Sequence, residues 1–175
     1  MGRTKRVLTV CSIQTETERE SEMTEQKYVV TEEPAVRTMA VRTRTSAREL
    51  PQEIGRVFHA IMAYMDELGE SLAGAPYVAY FNLDMDDLEV EMGFPVAQAL
   101  PGKAEVEPSE IPAGKWLSTM HKGPYEQMAS CYEGMTQWLA CERMEASGVA
   151  YEYYYNSPDE VPENELLTKI AFLLK

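Results

Sequence analysis

One segment of this chain occurs twice, and that repetition limits the fold more than any other feature. Ala75-Pro76-Tyr77-Val78-Ala79-Tyr80-Phe81-Asn82 reads against Val149-Ala150-Tyr151-Glu152-Tyr153-Tyr154-Tyr155-Asn156, with Tyr80 against Tyr154 and asparagine against asparagine. Both copies are rich in aromatic residues, and Gly148 and Pro158 bound the second, so each reads as a strand. The match extends outward. Leu88 to Val96 corresponds to Leu166–Leu174 with Phe94 against Phe172, and Pro34-Ala35 corresponds to Pro112-Ala113. The separations of Pro51 from Tyr77 and of Pro124 from Tyr151 differ by a single residue. Such agreement predicts a duplicated domain.

Within each copy the elements follow from periodicity. Residues 34–45 alternate Val36, Thr38, Ala40, Arg42 against Arg37, Met39, Val41, Thr43, the pattern of a strand with one face toward a core. Pro51 opens a helix with Ile54, Val57, Phe58, Ile61, Met65 and Leu68 on one side, and Gly69 closes it. Asp84 to Asp87 makes a turn into a strand from Leu88 to Val96. Ala99 to Ser109 reads as the connection between copies, and Ile111 to His121 as the next strand. Gly123-Pro124 starts a second helix with Met128, Cys131, Tyr132, Met135, Trp138 and Leu139 on one face. Strands over Tyr151–Asn156 and Leu166–Leu174 end the chain. The expectation is an α+β fold, β-α-β-β twice with half-repeats 28–98 and 110–175. A pseudo-two-fold would relate them in one antiparallel sheet, with two long helices packed on it.

A site on such an axis is lined by equivalent residues from both copies. Alternation puts Glu152 and Tyr154 on one face and Tyr151, Tyr153 and Tyr155 on the other, so Val78 and Tyr80 are the partners of Glu152 and Tyr154. Taken alone, Glu152 is most simply a solvated strand residue, because glutamate is rarely buried. Its counterpart, however, is apolar, and a purely structural face does not call for a carboxylate. If buried, it either takes up a proton or stays ionised and awaits a cation. Tyr80 and Tyr154 are the next candidates, equally readable as sheet packing. Trp116, on the strand entering the second copy, either lines the groove or covers the core. Tyr125 fits helix packing, and Phe58, Met62, Met128 and Trp138 read as core stripes.

Net charge narrows the partners. The chain carries −13, and basic and acidic residues balance over 1–27, so the excess sits on the repeated part. Nucleic-acid binding rests on neutralising phosphates with Lys and Arg, and residues 1–27 are too short and polar for a helix-turn-helix. No direct nucleic-acid binding is expected; a neutral or cationic ligand suits the field. Cys11, Cys131 and Cys141 are neither a disulfide framework nor a metal set. With no apolar run long enough to span a bilayer and no export signal, the expectations are no membrane, a cytoplasmic protein and no cofactor. Residues 1–27 read as a disordered or frayed extension, with Met23 as a candidate start. His59 and His121 have no nucleophile motif beside them, and Asp84–Asp87 lacks the glycine and distal glutamate of a calcium loop.

Four motifs, in order, carry a family resemblance: Ile111-Pro112-Ala113-Gly114-Lys115-Trp116, His121-Lys122-Gly123-Pro124-Tyr125, Tyr151-Glu152-Tyr153-Tyr154, and Leu167-Thr168-Lys169-Ile170. The chain over about Lys27 to Lys175 resembles the GyrI-like family, which includes effector-binding domains of multidrug-responsive AraC/MerR-type transcription regulators. The resemblance implies a stand-alone member with a groove at the pseudo-two-fold, where a buried glutamate, here Glu152, meets lipophilic cations among aromatic rings. The leading expectation is binding of amphipathic, aromatic, often cationic drugs or toxins by Glu152, Tyr154, Tyr80 and Trp116. The resemblance leaves two alternatives open. One is a hydrolase of electrophilic, cyclopropane-bearing toxins with Glu152 as general base; the other is an acidic protein that binds a topoisomerase or a regulator.

Overall fold

The computed structural model describes residues 27–175. The expectations placed on residues 1–26, the disordered extension and the start at Met23, lie outside the described residues. No helix among them is long and apolar enough to cross a membrane.

Eight antiparallel strands form one sheet. They are β1 (Val29–Glu33), β2 (Val36–Thr45), β3 (Tyr77–Tyr80), β4 (Leu88–Pro95), β5 (Glu107–Ile111), β6 (Gly114–Lys122), β7 (Ala146–Tyr154) and β8 (Leu167–Leu174), in the order β1-β6-β8-β7-β3-β4-β2-β5. Helix α1 (Leu50–Leu68) follows β2, and α2 (Ala129–Glu142) follows β6. The order is symmetric about the β7–β3 junction: β3 answers β7, β4 answers β8, β2 answers β6 and β5 answers β1. This is the duplicated α+β architecture, with two additions.

The additions are β1 and β5. Pro108 and its polar neighbours place Glu107–Ser109 in the expected connection and Ile111 at the head of the strand after it, whereas Glu107–Ile111 is a strand of its own and the next begins at Gly114; Val29–Glu33 has too few apolar residues to stand out. Both become strands through their partners. β5 pairs with β2, Thr38 opposite Ser109, and β1 pairs with β6, Thr31 opposite Trp116. Each therefore lies on the half it does not directly lead into. Pro34-Ala35 links β1 to β2 and Pro112-Ala113 links β5 to β6, so two-residue links join strands that are far apart in the sheet order. Links this short require the sheet to curl until its two ends approach each other.

Curling gives the sheet two different faces. One carries the helices in two separate cores: α1 on Met39, Val41, Val78, Val90 and Met92, and α2 on Leu117, Ile170 and Phe172. The other face closes on itself around Tyr77, Ile111, Trp116, Tyr151 and Ala171. The helices end differently. Gly69 caps α1 in the left-handed conformation that glycine adopts without strain, at φ 68°, whereas Arg143 takes the same role for α2 at φ 54°. Instead of starting at Gly123-Pro124, α2 begins after a 3-10 turn over Tyr125–Met128, with no side-chain cap. Met62 does not join the core stripe of α1, being 42% exposed.

Candidate functional site

The junction of the halves is the β3–β7 pair, where Val78 stands directly opposite Glu152 and Tyr77 opposite Tyr153. Alternation along the two strands turns Val78, Tyr80, Glu152 and Tyr154 toward the helices. There the Glu152 side chain is covered, 6% exposed, yet among the described residues it pairs with no Lys or Arg; the ion pairs formed by those residues all join partly or fully exposed side chains elsewhere. Three phenols compensate it. Tyr132 of α2 donates to Oε1 at 2.5 Å, Tyr154 to Oε2 at 2.6 Å and Tyr80 to Oε2 at 3.3 Å.

Burial and hydrogen bonding oppose each other at this carboxyl. Removal from water raises its pKa above the ordinary 4.5 and is the largest influence; the bonds from Tyr132, Tyr154 and Tyr80, and nearby His121, act in the opposite direction. The phenols respond in kind. Tyr80, Tyr132 and Tyr154 are all pushed far above the ordinary tyrosine range, first by burial and then by the charge of Glu152. They remain donors at any physiological pH.

Around this centre the rings are stacked in depth. Tyr125 meets Tyr154 edge-on, centroids 5.8 Å apart, and Tyr132 leans on Phe172 at 5.7 Å. His121 sits behind them, buried, with Nε2 2.9 Å from the Pro124 carbonyl. A carbonyl only accepts, so Nε2 donates to it, and Nδ1 lies 3.4 Å from the Cys131 Sγ. Thr168, the cross-strand neighbour of both Tyr154 and His121, is fully buried.

The candidates from the sequence divide between the two faces. Glu152, Tyr154 and Tyr80 come together. Trp116 does not join them: it lies on the opposite face, edge-on to Tyr151 at 5.1 Å and 3% exposed. Tyr132 is the member of this cluster that sequence reasoning did not single out. It looked like one more member of the apolar stripe of α2, and only its hydroxyl, absent from the equivalent Phe58, could have distinguished it. The opposite face also buries a carboxylate, Glu91, 8% exposed, which accepts from Tyr77 at 2.7 Å and from Ser109 at 3.1 Å. Thr38, whose hydroxyl is 3.0 Å from that of Tyr77, and Ser109 also line a cavity of about 440 Å³ with Arg37, Glu110, Val96 and Leu100. That cavity lies at the β2–β5 edge, away from Glu152.

Comparison with known proteins agrees with this architecture. Residues 26–175 match the family described as the GyrI-like small molecule binding domain. No curated protein matches the sequence. Among solved structures, EcmrR in a DNA complex aligns with a TM-score of 0.78 at 18% identity, over 86% of this chain and 57% of that one. The chain thus spans little more than half the length of EcmrR. A hydrolase from Listeria innocua aligns at 0.62 and 13% identity, over 85% of this chain and 92% of that one. SAV2435 bound to tetraphenylphosphonium aligns at 0.60 and 9% identity, over 85% and 94%. At such identities the likeness is one of fold.

Proposed function

The chain belongs to the GyrI-like small molecule binding family, and from that premise we propose that it binds amphipathic, aromatic, cationic small molecules at the junction of its halves, with Glu152 as counter-ion. The observation that carries this reading is a buried carboxylate held by three neutral hydroxyls and, among the described residues, paired with no cation. Such a group lacks the partner that would repay its desolvation, and a lipophilic cation can supply one. The rings of Tyr80, Tyr125, Tyr132 and Tyr154 surround the same point, and each face that a cation reaches contributes about 0.5–2 kcal/mol. A net charge of −13 draws cations toward the protein at long range. SAV2435, a protein of the same fold, carries tetraphenylphosphonium, a ligand of this class.

The way in is set by which donor can move. Tyr80 and Tyr154 stand on paired strands, whereas Tyr132 stands on α2, the helix that ends without a glycine cap. In the proposed mechanism a ligand displaces the Tyr132 hydroxyl as α2 shifts, and its charge takes the freed lone pair of Glu152.

The second reading is hydrolysis of an electrophilic toxin with Glu152 as general base and Tyr154 or Tyr80 orienting water, supported by the fold shared with a Listeria innocua hydrolase. The geometry favours binding. A carboxylate has about four acceptor positions, and three already take phenolic hydrogens, which leaves little room to hold and orient a water. Titration calorimetry with tetraphenylphosphonium tests the proposal. Wild type is expected to bind, and Glu152→Gln to bind about 30-fold or more weakly, the loss that follows removal of one member of a buried charge pair. Equal affinity in the two proteins would refute the counter-ion. Mass spectrometry of cyclopropane-bearing electrophiles after incubation separates the two readings: intact compounds support binding, and turnover lost in Glu152→Gln supports hydrolysis.

A further inference from the structure

One polar atom near Glu152 is used by nothing around it. Thr168 is 0% exposed, and its Oγ1 has no hydrogen-bond partner among the described residues. In the sheet it lies directly opposite Tyr154 on one side and His121 on the other. Directly paired residues share a face, so all three turn toward α2 with Glu152. The neighbours are committed. The Tyr154 hydroxyl donates to Glu152, and the two ring nitrogens of His121 are taken by Pro124 and Cys131. Thr168 Oγ1 is the buried side-chain polar atom that has no partner among the described residues.

The first half shows that the hydroxyl is not needed to fill space. Val90 occupies the equivalent place, opposite Tyr80 as Thr168 is opposite Tyr154, and is equally buried. Valine and threonine have nearly the same shape, so apolar packing is available at this position. A buried hydroxyl left unpaired carries its full desolvation cost.

We propose that Thr168 Oγ1 is a hydrogen-bonding subsite beside Glu152, which takes a neutral hydroxyl, ether or carbonyl group carried by the cationic ligand once it has displaced Tyr132. This rests on the reading of Glu152 as counter-ion. The subsite turns a general preference for lipophilic cations into a preference for those bearing one polar group beside their charge. It works by matching: a ligand with that group satisfies Thr168, and one without it leaves the hydroxyl unpaired.

Tetraphenylphosphonium and its three mono-hydroxyphenyl isomers make a matched set, identical in charge and differing by one hydroxyl. Calorimetry on wild type is expected to show at least one isomer binding about 3- to 10-fold more tightly than the parent, the worth of one neutral hydrogen bond. Thr168→Val should abolish that advantage while leaving the parent within about 2-fold and the melting temperature at or above wild type. Thr168→Ser should keep the advantage, and Thr168→Ala stands in if the valine variant misfolds. The subsite is overturned if no isomer is favoured, or if the advantage survives in Thr168→Val. If tetraphenylphosphonium itself fails to bind wild type, the Glu152 reading falls and the subsite with it; that outcome is distinct from binding without discrimination.

Discussion

The two halves share a backbone plan and differ in what they bury beneath their helices. In the first, Val57 and Phe58 of α1 pack with Val78 and Val90 of the sheet; in the second, the equivalent places hold Cys131 and Tyr132 of α2 and the buried Glu152 and Thr168. Position by position the volumes are close and the polarity is not. The aromatic contacts confirm the equivalence: Phe58 meets Phe94 at 5.1 Å, and Tyr132 meets Phe172 at 5.7 Å. The first half demonstrates that this fold is satisfied by an apolar interface. The polar atoms of the second are therefore additions that packing does not require, clustered where the two halves meet. On the opposite face the asymmetry reverses. The first half buries Glu91, and its register equivalent, Lys169, reaches over the Tyr153 ring at 5.4 Å.

The comparison breaks most severely if the first half is given the carboxylate too. Val78→Glu would set two carboxylates directly opposite each other, with Phe58 unable to donate where Tyr132 does. A loss of about 3–5 kcal/mol is expected in denaturant unfolding, the cost of an uncompensated buried charge; a loss below 1 kcal/mol would mean that the junction is far more hydrated than its burial indicates. Next in size, Tyr132→Phe gives α2 the residue that α1 has. Glu152 loses its shortest hydrogen bond, for about 1–3 kcal/mol of stability, and its pKa moves further up because that bond holds it down. Cation binding should be retained or tightened, because the ligand no longer has to displace this hydroxyl from Glu152, and unchanged unfolding would show that the bond is dispensable.

The smallest effect sharpens the electrostatics. Burial raises the native pKa of Glu152 above the ordinary 4.5, so between those two values the native state holds more protons than the unfolded one. Stability then falls as pH rises through that window and is level on either side. Glu152→Gln lacks this titration. Without ligand its melting temperature should exceed that of wild type by about 1–3 °C at neutral pH, and the difference should vanish below pH 4.5. A difference independent of pH would show that Glu152 does not titrate in this range.

Much of this was legible in the chain. The stripe of α1, its stop at Gly69 and the twin tyrosine strands follow from periodicity and local chemistry, which act within a few residues. The oddity of Glu152 also was, because duplication supplies an internal control in Val78. The strands β1 and β5 were not, since Val29–Glu33 and Glu107–Ile111 are extended only by virtue of β6 and β2. Trp116 could not be assigned a face, because its role depends on how far the sheet curls.

The sequence by itself determined the duplicated plan, the two helical stripes and the singular carboxylate. These rest on patterns that repeat at the period of a strand or helix, and on one half serving as reference for the other. Only the tertiary structure decided that β1 and β5 lie across the halves, that Trp116 and Glu152 lie on opposite faces, and that three phenols from β3, β7 and α2 converge on one carboxylate. Those outcomes depend on side chains far apart in the chain meeting in space, and burial turns that meeting into chemistry: it raises the pKa of Glu152 and leaves the hydroxyl of Thr168 without a partner.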